Sequence, residues 1–286
     1  MHDEIRRFVG WVRRRNPQAR TWRDYGYDLA QFLAVVGDPP PGAVSLYDVD
    51  AFVTAQAANG FKASTINRRL AAIMSFYAFL SDEDPELVCP VLPHRHALHE
   101  RQRLPRPVPE EDIRRFFAVV ESGRDRAMFL LMLRCGLRIS EVAGLQLADL
   151  YLEEVYPRLL VHGKNSRERS AYLSAQAEEA LRAYLAARMR TTSDYVFVSY
   201  QGEGLSTTAI HKRLMRYRTA AGVHFTAHQL RHSFANDLVM ADVPVTSIQK
   251  LLGHAWLATT QSYVAANDPQ VQADFYGATA ELESWQ

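Results

Sequence analysis

Between Thr226 and Val264 the sequence sets out two imidazoles, a guanidinium and a phenol in order: His228, Arg231, His254 and Tyr263. A free phenol has a pKa near 10, so at neutral pH it is a poor nucleophile unless a base and cations surround it. This set supplies both. The chemistry it suits is attack of a phenolic oxygen on a phosphodiester whose charge is held by cations. His228 and Arg231 stand three apart on an expected helix and so share one side, while Leu230, Phe234 and Leu238 pack the other. Gly253 is expected to end a helix in the left-handed conformation and to throw His254 out at that end. Tyr263 falls in a short expected helix that Thr259 or Thr260 caps; taken alone, a tyrosine at such a position reads as core.

Two upstream motifs add cations. In GLRISE (Gly136 to Glu141), Arg138 follows a helix-stopping glycine. Ser140 is expected to cap the next helix, which places the guanidinium where backbone N–H groups also favour an anion. Glu141 is placed to pair with a nearby cation and hold its geometry. In HGKNSRER (His162 to Arg169), Lys164 occupies the turn of an expected hairpin. The chain has four lysines against 29 arginines, which makes a lysine here unusual. A lysine can give up a proton, whereas an arginine effectively cannot, and a proton donor is needed where an oxygen leaves a phosphate. Each motif alone has a plain reading as a surface arginine or a polar turn.

These residues need a scaffold. The first 85 residues read as four short helices: Ile5, Phe8, Val9 and Val12 follow the helical period, as do Trp22, Tyr25, Leu29 and Phe32. Thr21 with Asp24, and Ser45 with Asp48, look like capping pairs. Ser64 is expected to open the fourth helix, with Ile66, Leu70, Ile73 and Tyr77 as its apolar stripe. Residues 86–109 carry Pro90, Pro93, Pro105, Pro107 and Pro109 among His94, His96 and His99, and read as an interdomain linker, not a metal site. The second domain spans 110–286. It opens with a helix marked by Ile113, Phe116, Phe117 and Val120. An apolar helix follows to Cys135, then a β-hairpin from Tyr156–Val161 and Arg169–Leu173, then four or five helices. The expected fold is mainly α with a small β-hairpin or sheet, in two domains.

Composition excludes some classes. With 286 residues, 48% of them apolar, two cores are within reach. No apolar run approaches the ~18 residues of a membrane span, and the N-terminus lacks a signal-peptide core. Cys89 and Cys135 form no ligand cluster and read as reduced thiols. The net charge of +1 is uninformative, but its distribution is not. No acid occurs between Glu203 and Asp237, a window that holds Lys212, Arg213, Arg216 and Arg218. None occurs between Asp50 and Asp82, where Lys62, Thr65, Arg68 and Arg69 lie at or near a helix start. These segments, with Arg167 of the hairpin turn, are either DNA-contacting basic faces or solvated helix faces.

Taken together, these motifs resemble those of the tyrosine recombinases, also called the phage-integrase family. GLRISE matches the family's first arginine motif, GKNSRER its hairpin lysine, HQLRHSFA its His-x-x-Arg helix, and LLGH…TTQSY its last block. One departure is Ala227, where many relatives have a proline that firms the helix start. The resemblance covers the whole chain. It implies a core-binding N-terminal domain joined to a mixed α/β catalytic domain, which clamp duplex DNA between them. It implies that Tyr263 forms a 3′-phosphotyrosine and that Arg138 and Arg231 hold the non-bridging oxygens. Lys164 would then be general acid, His228 would assist proton transfer, and His254 would hydrogen-bond the phosphate. No metal or nucleotide cofactor is implied. The implied partners are double-stranded DNA with a specific recombination site, a homotetramer on two duplexes, and an accessory protein or second recombinase. Val271, Phe275, Leu282 and Trp285 mark a C-terminal helix that docks either on a neighbouring subunit or on its own. The expected location is cytoplasmic, with the nucleoid. No arm-binding domain precedes the first helix, which favours a simple Xer-like enzyme for dimer or cointegrate resolution, or for transposon or phage integration and excision. Two other readings share parts of this pattern. A type IB topoisomerase runs the same chemistry on one duplex, and a non-catalytic DNA-binding regulator needs neither Lys164 nor Tyr263.

Overall fold

The structure is a computed structural model that describes residues 1–15, 17, 19–100, 106–163 and 168–253. Contacts divide the chain into two compact units, Met1–Gln102 and Arg103–Gln286.

The first unit contains α1 (His2–Arg15), α2 (Thr21–Val36), α3 (Leu46–Ala58), α4 (Ala63–Ser81) and the single turn α5 (Pro93–His96). The four long helices match the expected number. Their apolar stripes meet in a core that includes Phe8, Leu29, Phe32, Phe52, Ile66, Ile73 and Phe76, with Phe32 edge-on to Phe52. Ser45 caps α3 in a reciprocal box with Asp48. The other expected pair does not form: α2 begins with Thr21 already helical, and no side chain caps it. Likewise α4 starts one residue earlier than Ser64, with Lys62 at the cap position.

The expected linker is not structureless. Pro93 opens α5, where its missing N–H costs nothing. His96 is buried; its Nδ1 accepts from Leu92 N at 2.8 Å. Val91 joins the first core, Arg95 pairs with Asp50, and Asn67 bonds the Leu98 backbone in both directions. Val91, Arg95, His96 and the Leu98 backbone thus tie this stretch to the helices before it.

In the second unit, α6 (Glu110–Ala118) is followed by α7 (Gly123–Arg134) and α8 (Ile139–Gly144). Every residue from Ala127 to Leu133 is buried, so α7 is the central post of this core. A three-stranded antiparallel sheet follows, in the order β1 (Leu150–Tyr151), β2 (Arg158–His162), β3 (Glu168–Tyr172). The hairpin is the expected one, with His162 opposite Glu168; the third strand is an addition. Then come α9 (Ala175–Ala187), α10 (Thr207–Ala221), α11 (Ala227–Met240) and α12 (Val245–Leu252). Burial pushes the Cys135 thiol up to about 11, and both cysteines are free. No described helix is long and apolar enough to cross a membrane.

Candidate DNA strand-transfer site

The site forms where α7, α8, β3, α11 and α12 meet. Gly136 makes the first turn possible. Its φ of +66° lies in the left-handed region, and a Cβ there would stand 2.4 Å from the Phe234 ring. The chain can therefore reverse tightly under α11, and Arg138 takes the cap position of α8. Ser140 does not cap this helix. Glu141 does so instead: its Oε2 accepts the Arg138 backbone N–H at 2.7 Å, and its Oε1 accepts Arg138 Nη1 at 2.8 Å. One carboxylate thus closes the helix start and orients the arginine. A serine two residues into the helix is too far along to reach back over the first N–H groups, whereas a glutamate at the third position is long enough.

The same carboxylate gathers two more guanidiniums. Arg169 Nη2 on β3 donates to Glu141 Oε2 at 2.7 Å, and Arg231 Nη1 on α11 lies 3.6 Å from that oxygen. Arg231 is 1% exposed and also donates to the carbonyls of Gly136 and Leu252. It thereby fastens the turn before Arg138 to the last turn of α12. Gly253 ends that helix in the left-handed conformation, as its position suggests. Among the described residues, one carboxylate faces these three guanidiniums, and the Arg138 side chain is 39% exposed.

His228 stands in the first turn of α11. Ala227 does not loosen this start, because Thr226 and Gln229 form a reciprocal capping box there. The His228 ring is solvent-accessible. Even so, partial burial and then the charges of Arg231 and Arg138 lower its pKa, which favours the neutral imidazole. One turn on, His232 meets it edge-on with ring centroids 4.2 Å apart. Burial first, then His228 and Arg231, pull His232 down to about 4.

Arg138, Glu141, His228 and Arg231 are therefore brought together. Lys164, Arg167, His254 and Tyr263 lie outside the described residues, as do Val271, Phe275, Leu282 and Trp285. Two neighbours escaped the sequence reading. His232 carried no signal beyond its step of four from His228. Arg169 alternates with buried Ala171 on β3, and that period-two pattern marks it as inward-facing.

The expected basic faces fare unevenly. Lys62 is exposed at the start of α4 and Thr65 is half-buried beside it. Arg68 is held by both oxygens of buried Asp28, at 2.5 and 2.9 Å. Arg69 is no surface group: it is 2% exposed, bonded to Gln56 and stacked on Phe61 at 4.2 Å. Its step of three from Ile66 and four from Ile73 puts it on the buried side of α4. On α10, Lys212 is exposed. Arg213 pairs with buried Asp125 at 3.3 Å, and exposed Arg216 lies over the Tyr217 ring at 4.8 Å.

Comparison with known proteins shows the family. Residues 107–270 match the phage integrase family, and residues 2–84 match the phage integrase N-terminal SAM-like domain. A tyrosine recombinase XerC of Rhodospirillum centenum is 35% identical over 282 residues, covering 91% of this chain and 82% of that protein. The XerC of Listeria innocua is 29% identical, over 94% of this chain and 95% of its own. Among solved structures, XerH bound to a palindromic difH substrate superposes with a TM-score of 0.75 at 21% identity, over 89% of this chain and 78% of that one. A lambda integrase fragment dimer bound to a COC′ core site gives 0.74 at 18% identity, over 92% and 94%. Matches to both domain families and a relative at this identity leave one assignment: the chain belongs to the phage integrase family, the tyrosine recombinases.

Proposed function

We propose that this site-specific recombinase cuts and rejoins DNA through Tyr263, with the Arg138–Glu141–Arg231 cluster as its phosphate seat. The supporting observation is that, among the described residues, the Glu141 carboxylate faces three guanidiniums. It fixes their geometry yet leaves positive charge for a phosphodiester in transit.

The steps follow from the groups. The Tyr263 oxygen attacks phosphorus, a 3′-phosphotyrosine forms, and the 5′-oxygen leaves. Neutral His228 receives the phenolic proton, and Lys164 gives one to the departing 5′-oxygen. Arg138, the more open of the two arginines, meets the non-bridging oxygens. Arg231, anchored on two carbonyls, contributes charge from the floor of the site. His254 hydrogen-bonds the phosphate. The 5′-hydroxyl of a partner strand reverses the step, so the phosphodiester energy is kept. Lys62, Thr65, Lys212, Arg216 and Arg167 are the groups proposed to touch the DNA backbone.

The working assembly is a homotetramer on two duplexes. A lambda integrase structure that this chain resembles is a tetramer bound to a Holliday junction. The proposed location is the cytoplasm, on the nucleoid. Denaturing cells that express the protein and sequencing the DNA left covalently attached tests the function: one recurrent short site is expected. Scattered sequence, or none, contradicts it.

A further inference from the structure

Arg169 closes the HGKNSRER motif, yet the strand-transfer chemistry above gives it no task. Its surroundings are unusual for an arginine. The side chain is 11% exposed, and burying a guanidinium is costly unless it is well paired. Nη2 has Glu141 at 2.7 Å. Nη1 is buried and finds no hydrogen-bond partner among the described residues.

Its neighbours explain why the position matters. Arg169 donates to Glu141 Oε2, the oxygen that also accepts the Arg138 backbone N–H and lies 3.6 Å from Arg231. Without Arg169, that oxygen would lose a strong donor, and the carboxylate would be free to turn toward Arg231. The Glu141 Oε1 bond that aims Arg138 turns with it. On its other side, Arg169 lies against the end of α12. A Cβ on Gly253 would stand 2.7 Å from Arg169 Cδ and 3.1 Å from Nε. Only a glycine lets the chain come this close, and His254 is the next residue. In the sequence, Arg169 follows Lys164 by five residues.

We propose that Arg169 is a positioning residue of the strand-transfer site. Through Glu141 it sets the angle at which Arg138 meets the phosphate, and against Gly253 it sets where the chain leaves α12 toward His254. This rests on the recombinase reading above. Arg169 touches no DNA; it acts through Arg138.

The test uses a nicked suicide duplex carrying the site recovered from cells. The scissile phosphate is either ordinary or a methylphosphonate, in which a methyl group replaces one non-bridging oxygen. The neutral methylphosphonate has less need of a cationic seat. Arg169→Met is expected to bind the duplex like wild type but to form the covalent complex about 10²-fold more slowly on the ordinary phosphate, the scale of a misplacement near 1 Å. On the methylphosphonate its loss should be far smaller. Arg169→Lys keeps a buried cation and one donor, and should fall between the two on the ordinary phosphate. If Arg169→Met does not fold, the ratio of the two substrates measured with Arg169→Lys decides. Equal losses on both substrates, or no loss, overturn the proposal while leaving the recombinase reading standing. A wild-type protein that forms no covalent complex on either overturns both.

Discussion

Glu141 holds Arg138 at two points, accepting its backbone N–H at 2.7 Å and its Nη1 at 2.8 Å. The backbone bond starts α8 and the side-chain bond aims the guanidinium, so helix geometry and phosphate seat cannot vary independently.

Glu141→Gln keeps the size and one acceptor but removes the charge facing three guanidiniums. Removing one partner of a buried ionic set typically costs about 3–5 kcal/mol, and the amide retains part of the bonding. A loss of about 2–4 kcal/mol in urea unfolding is expected on that basis, together with slower covalent-complex formation. Unchanged stability would show that Glu141 is not what holds the cluster.

Gly136→Ala must place a side chain at φ +66° and against Phe234. The left-handed conformation costs about 1–2 kcal/mol and the overpacking about 1–3. Urea unfolding should show a loss in the range of about 2–5 kcal/mol, and Phe234→Leu in the same chain should return part of it. If the double variant is no better than the single, the ring contact is not the obstacle.

His232 gives a signed pH dependence. Its ordinary value is 6.5, and the folded protein pulls it to about 4. Between those values the unfolded chain binds its proton and the folded chain does not. Stability from this group is therefore full above 6.5 and is lost as pH falls toward 4. Unfolding midpoints at several pH values in that window should fall less steeply in His232→Asn than in wild type. Parallel slopes would remove His232 as the titrating group.

Two cations on α4 should part company. Arg69→Ala leaves Asp28 and Gln56 short of a buried partner, and the first unit should lose about 3–5 kcal/mol. Lys62→Ala should leave stability unchanged, weaken binding to all duplexes alike, and lower the salt slope by about 1. Fluorescence anisotropy over a salt series reads the second effect, and an unchanged slope would take Lys62 off the DNA.

Much of this architecture is legible in the residues, because four amphipathic helices and an alternating hairpin obey local periods. What escapes is tertiary. The helical period puts Arg69 on the buried side of α4, but nothing local shows that Asp28 and Gln56 wait to receive it. The prolines of residues 86–109 signal broken helices correctly. That Val91 and His96 are buried depends on surfaces far back in the chain. The two residues of β1 are too short to show a period. In the site, Arg138, His228 and Arg231 stand out by motif, and Glu141 by its spacing from Arg138. Arg169 acquires its meaning only when β3, α8 and the end of α12 come together.

The linkage of Tyr263 to DNA is the step on which the proposed chemistry stands. Wild type and Tyr263→Phe, each incubated in EDTA with a nicked suicide duplex of the recovered site, test it by denaturing gel and peptide mapping. Wild type is expected to form a covalent complex, mapped to Tyr263, and the variant none. A complex that survives in Tyr263→Phe, or one that forms only when a divalent metal is restored, would contradict it.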